Sequence, residues 1–484
     1  MTINISFSRM ALTRLIREVG RLRADQRGAV AIVMGFLLPV AIGMFGLGVE
    51  VSTWYLKTRQ MQNAADAAAL AAASNDSSNY ATEANAVAAF YNLVNGVNNV
   101  QTQPAKVTNA TDVRCPATLN GLPNPSCYRM TINWTVPLYL AQVVGYTGNN
   151  NGNGTELLTR TALAVPQTFQ QPICLLGLDP TLQAITSNGG PNTDFTGCTV
   201  MSNSNGTCNG SDLEATFGLA HGTNNGCGNV GYSGIPQIPD PYLSMASNIP
   251  TDLPTKCGNS YPQEKKIAGN WTFNPPAPLN QWSGGKTLTA TYDSPVVGNN
   301  LICGDLQLTG NVTITDNVPG GGAVLYIMNG MLDTQGHTFQ TASGSSVTLV
   351  FTGTNGGSYS HFPGDRSGGS NGVLNFEAPK TGPFSGIAIY QDPALTSGVD
   401  FTYTGNSPTW DITGGVYAPN AHITVSGVVN QSSNGANCFV MVADRVTING
   451  TGQFYAQSPN GAGCKQAGLN MPMANIPGKS KLVY

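Results

Sequence analysis

Ten cysteines dominate the reactive side chains of this 484-residue chain: Cys115, Cys127, Cys174, Cys198, Cys208, Cys227, Cys257, Cys303, Cys438 and Cys464. None belongs to a C-x₂₋₄-C pair and no H-x₃₋₅-H accompanies them, so the ligand spacing that zinc requires is missing. An even number, all downstream of one long apolar segment, reads as disulfide chemistry in an oxidising compartment. Cys115 and Cys127 bracket the turn-rich PATLNGLPNPS and are expected to staple that loop, with Cys438 and Cys464 a second candidate pair.

Hydrolytic chemistry on a glycan would need two or three carboxylates on one face. From Asp293 onward the acids (Asp293, Asp305, Asp316, Asp333, Asp365, Glu377, Asp392, Asp400, Asp411 and Asp444) are sparse, and no two are adjacent or two residues apart. The densest polar cluster is His361, Asp365 and Arg366 in HFPGDR, a glycine-flanked stretch that reads as a solvated loop with a weak surface ion pair. His221, His337 and His422 stand apart from acids and cysteines, Ser385 lacks a G-x-S-x-G elbow, and Gly320 to Gly322 precede no helix that would cradle a phosphate. The chain is therefore expected to be no enzyme and to need no cofactor or metal. A carbohydrate-active enzyme or glycan-binding adhesin is the alternative: aromatics such as Tyr359, Tyr390, Tyr417 and Trp410 recur with the strands, most expected to stack inside, with a few on the outside open to glycan or another protein.

Only 10% of residues are charged and the net charge is −3, while Gly numbers 58. With no basic face beyond the N-terminal tail, nucleic-acid binding is excluded. Turns made by Asn and Gly between runs of Val, Thr, Ile and Tyr describe a β-rich exported protein.

The elements that position these residues begin with residues 29–49, an uncharged run that as a helix spans about 31 Å, the thickness of a bilayer core. Six arginines in residues 1–28, against Glu18 and Asp25, place that tail in the cytoplasm. The run reads as an uncleaved single-pass anchor; a type IV prepilin cut after Gly28 would carry Glu where Val33 stands. Residues 50–73 lack Gly and Pro and should continue the helix, with a second helix over 82–96. Alternation over 128–141 and 155–166, joined by GNNNGNG, predicts paired strands and hence a small α+β domain over 50–167. Residues 168–470 carry short apolar-x-apolar runs between Gly/Asn turns, a pattern that stacking resolves as a β-solenoid, here a parallel β-helix, with a β-sandwich as the other solution. A proline-rich loop near 235–278 crosses or splits it, and 471–484 is a tail. The fold class is thus multi-domain: a transmembrane helix with a pilin-like α+β domain, then an all-β solenoid.

The block at 27–73 resembles the N-terminal segment of the Flp pilus-assembly TadE/TadG-like family. Arg27 and Gly28, the central Pro39, Glu50 at the end of the apolar run, Trp54 and Tyr55, and the helix containing Asn63 and Asp66 carry the resemblance. Segments such as LICGDLQLTGNVTIT and GGVYAPNAHITVSG resemble the C-terminal part of TadG-related exported proteins. The resemblance implies a component of tight-adherence pilus assembly or surface attachment. It would sit in the bacterial inner membrane with its N-terminus inside and most of the chain in the periplasm or envelope. Its partners would be the membrane and pilus-assembly proteins or pilin, with surface glycan the partner in the adhesin alternative. The D-x-S-x-S metal site of some family members is absent from this sequence.

Overall fold

An alanine-rich segment with nothing to break it should stay helical, and in the computed structural model one helix, α1 (Arg27–Asn75), runs unbroken through Pro39. The structure describes residues 27–484 apart from 77, 120–121, 124–125, 259, 268–269, 275–277, 290–299, 320, 357, 369–370, 405–407, 427–430, 433–437, 451–452 and 456–461. Most of the basic tail assigned to 1–28 therefore lies outside the described residues. The chain divides into two units, 1–168 with 477–484, and 169–476.

In the first unit, α2 (Tyr80–Phe90) follows α1, and β1 (Val100–Val107), β2 (Cys127–Pro137) and β3 (Thr155–Val165) form an antiparallel sheet. Ala64, Ala65, Ala68, Ala69, Ala72 and Ala73 are all buried, packed against Met130, Ile132, Ala162 and Ala164 of the sheet. Side chains this small let helix and sheet approach closely. α2 stops before the expected Gly96: Asn92 takes the left-handed conformation, at φ 62°, and the Leu93 and Asn92 amides donate to the Ala88 and Ala89 carbonyls. That is a Schellman closure with asparagine in the glycine position. β1, which the sequence pattern did not reveal, tolerates Pro104 because it is an edge strand.

The expected tail at 471–484 is a correction. Met473–Pro477 is a strand in the sheet of the second unit, and Lys481–Leu482 pairs antiparallel with β3 in the first. Burial alternates along MANIP, a period too short to register above background.

The second unit is mostly parallel sheet. Its principal strands are β4 (Thr168–Gly177), β5 (Ile185–Asn188), β6 (Thr199–Ser202), β7 (Phe217–Ala220), β8 (Leu306–Asp316), β9 (Ala323–Met328), β10 (Val347–Thr352), β11 (Ile387–Gln391), β12 (Thr409–Ser426) and β13 (Phe439–Asn449). One ladder runs β9–β10–β11–β12–β13–β4–β6–β7, every step parallel. Tyr390, Tyr417, Val442, Leu176, Met201 and Leu219 form one continuous column along it. The order is not the order of the chain, because the last rungs stack on the first: Met441 pairs with Leu175. β12 serves three ladders in turn: Thr409 to Thr413 beside Val373–Glu377, Gly415 to Tyr417 beside β11, and Ile423 to Ser426 beside Phe401–Thr404.

This arrangement gives the proline-rich segment its task. The stack grows from β4 through β7 to one end, so the chain must cross to the other end before adding the rungs from Asn280 onward. Along the way Ile238 is bonded to Asn203, Asp240 accepts from the Tyr417 hydroxyl at 2.7 Å, and Tyr242 packs edge-on against Tyr417. Tyr390 donates to the Tyr242 carbonyl, and Cys257 is joined to Cys303. With a strap on one face and the stack interior on the other, every residue of β9, β10 and β11 is buried, which explains apolar runs where alternation would otherwise appear. The remaining disulfides join Cys115–Cys127, Cys174–Cys198, Cys208–Cys227 and Cys438–Cys464. Cys257→Ser with Cys303→Ser should lower the unfolding free energy of this unit by about 3 kcal/mol. Denaturant titration checks it: the difference should vanish when parent and variant are both fully reduced.

Candidate functional site

Glu50 ends the apolar run and is buried. Its carboxylate accepts three consecutive backbone amides, from Tyr139 at 2.8 Å, Leu140 at 3.0 Å and Ala141 at 2.6 Å. These amides open the short 3₁₀ helix Ala141–Val144 at the tip of the β2–β3 hairpin, where the first N–H groups have no partner within the helix. A carboxylate there satisfies the donors and sits at the favourable end of the helix dipole. The same face of α1 presents Gly43 and Gly46: a Cβ on Gly46 would lie 3.0 Å from Leu140 and one on Gly43 3.8 Å from Val144. Glycine at these positions lets the tip lie directly on α1. Trp54 reaches Tyr146, ring centroids 6.2 Å apart, and Lys57 stands over the Trp134 ring at 4.2 Å. A cleft of about 340 Å³ opens here, lined by Glu50, Thr53, Trp54, Lys57 and Tyr139 among others.

The other sequence-selected residues are distributed along α1. Arg27 and Gly28 open it and Pro39 lies inside it. Tyr55 is exposed beneath the Arg59 guanidinium, Asn63 is exposed, and Asp66 accepts from Gln62 one turn earlier. Cys115 and Cys127 lie beside Val107, Leu163 and Val165.

The reading of HFPGDR as a solvated loop is overturned. Arg366 is one-tenth exposed and bonds Asp305 at 2.8 Å, with Glu264 at 3.7 Å. Asp305 also accepts the amides of Glu264 and Met331, and Asp333 accepts those of Arg366 and Gln335. Stacking thus gathers acids that are far apart in the chain. Burial raises the pKa of Glu264, Asp305 and Asp333, opposed by the Arg366 charge. His361 is fully buried and burial pushes it down to about 4, so it stays neutral at physiological pH. Glu264 was missed because it lies in the proline-rich segment, with no local pattern pointing to it. Chemically the cluster is a knot tying adjacent rungs: Asp305 and Asp333 are held by backbone amides, Arg366 bonds Asp305, and Glu264 accepts from the Gln307 side-chain amide.

The helix α1 is bare and apolar over its first half and packed by alanines in the α+β unit over its second, and the second unit is a disulfide-linked, mostly parallel β unit. α1 is the one helix among the described residues long and apolar enough to cross a membrane, and 6% of its most apolar window is buried. Residues 28–75 match the family described as "Putative Flp pilus-assembly TadE/G-like", about a tenth of the chain. No curated protein matches the chain. Among solved structures, the crystal structure of competence-associated pilin ComZ from Thermus thermophilus is similar over 80% of this chain and 88% of its own, at 10% identity and a TM-score of 0.18.

Proposed function

We propose that this protein is a membrane-anchored, non-catalytic component of Flp/Tad-type pilus assembly or surface attachment. The observation that carries the reading is the family match at 28–75, lying on the one helix that joins a bare apolar half to a packed alanine half. In this reading α1 holds the chain in the inner membrane with its basic end in the cytoplasm. The second unit stands in the periplasm or at the surface as a β-solenoid. The parallel ladders and the three-ladder course of β12 support that coil. Work by position rather than turnover is supported by the acid cluster, where Arg366 and backbone donors hold Asp305 and backbone donors hold Asp333. Its partners are other pilus-assembly proteins or pilin.

Deleting the gene should reduce Flp-type pili and surface attachment, and restoring the full chain should recover both. Unchanged piliation and attachment in the deletion strain would refute the assembly role. Cleavage of an acidic glycan by the purified chain would favour the carbohydrate-active alternative.

A further inference from the structure

The tip of the β2–β3 hairpin exposes an apolar surface with no cover of its own: Tyr139 is 74% exposed, Val143 77% and Val144 53%. Residues 138–148, LYLAQVVGYTG, contain no charge. What lies beside them is the apolar run itself, because Val144 packs at Gly43 and Leu140 at Gly46. Gly43 lies six residues inside Val49, about 9 Å along a helix. A helix embedded to Val49 therefore carries Val144 below the end of its own span.

We propose that residues 139–146 are a second membrane-contacting element, seated in the boundary between phospholipid headgroups and acyl chains beside α1. The chemistry of each residue fits that depth. Val143 and Val144 offer apolar surface, Tyr139 and Tyr146 are amphipathic rings suited to the interface, and the tip's leading amides are closed by Glu50 rather than left to water. Two contacts fix rotation and depth where a lone helix fixes neither, so the sheet of the first unit is held in one orientation to the bilayer.

The inference rests on α1 being membrane-spanning, and the test separates the two. Full-length protein is reconstituted into phosphatidylcholine vesicles, floated on a density gradient, and examined with lipids brominated near the top of the acyl chain. Val143→Trp should add tryptophan emission that these lipids quench. Val113→Trp, 87% exposed in the β1–β2 loop at the far end of the strands, should add emission that they do not. In the unsubstituted chain, Tyr139 should be protected from hydroxyl-radical oxidation in vesicles. Flotation without quenching at position 143 or protection of Tyr139 would overturn the tip proposal and leave the anchor standing. Failure to float would overturn both.

Discussion

Replacing Arg366 with methionine is expected to destabilise the second unit by about 4 kcal/mol at pH 8 and by much less at pH 5. The guanidinium is the counter-ion bonded to Asp305 and paired with Glu264, all three nearly buried. Methionine fills much of the same space but leaves buried carboxylates uncompensated. The pH dependence follows from the direction in which burial moves Glu264, Asp305 and Asp333, which is upward in each case. A carboxyl with a raised folded-state pKa binds its proton more tightly folded than unfolded. The stability it contributes is complete below its unfolded pKa of about 4 and is lost as pH rises through the folded value. Removing the Arg366 charge, which opposes the shift, raises the folded values further and enlarges that loss. Denaturant unfolding of the full chain in detergent at the two pH values measures it. Glu264→Gln serves as the companion: the amide mimics the protonated acid, so this variant should match the parent at pH 5 and exceed it at pH 8. An equal loss from Arg366→Met at both pH values would assign the residue's contribution to packing.

The same cluster shows where local sequence stops being informative. The alternation of β2 and β3 and the unbroken helix after Glu50 are legible because each is a local period facing one neighbour. HFPGDR gives no such signal: Arg366 is buried by Asp305, 61 positions away, and by the strap strand carrying Glu264. Composition around Arg366 describes a surface loop, and only the stacking of distant rungs makes it interior. Residues 235–278 are legible as an interruption, since their prolines and the IPDPY turn break the run of apolar strands, but the hairpin of Gln263–Ile267 and Asn270–Asn274 within them is not, nor is the stacking of β13 on β4 that forces the chain to cross. The disulfides divide in the same way. Cys115 and Cys127 bracket one visible turn, whereas Cys257 and Cys303 are joined because the strap's far end meets the first rungs of the returning stack. Glu50 is intermediate. Its place at the end of the apolar run marks it, but its partners lie about ninety residues on, at the end of a run that reads as strand to Ala141 whereas β2 stops at Pro137.

Glu50→Ala should release that tip while leaving the rest of the first unit folded. Three amides lose their acceptor at once, one buried and two partly buried; an unpaired buried donor costs about 1–3 kcal/mol and a partly exposed one less, so local opening at Tyr139 to Ala141 should become easier by about 4 kcal/mol. Hydrogen exchange at these amides would then accelerate by about a thousandfold. Glu50→Gln keeps one acceptor oxygen without the charge and should fall between the two, since charge-assisted bonds are about twice as strong as neutral ones. Exchange in β1–β3 should be unchanged, because the sheet is held by Ala64 to Ala73 of α1, at least four helical turns from Glu50 along most of that face. Mass-spectrometric exchange on the full chain in detergent resolves the two regions. Acceleration confined to the hairpin tip would establish the acid at the end of the apolar run as the latch between the anchor and the domain it carries. Acceleration spread evenly over β1–β3 would refute that role and make Glu50 part of the unit's global stability.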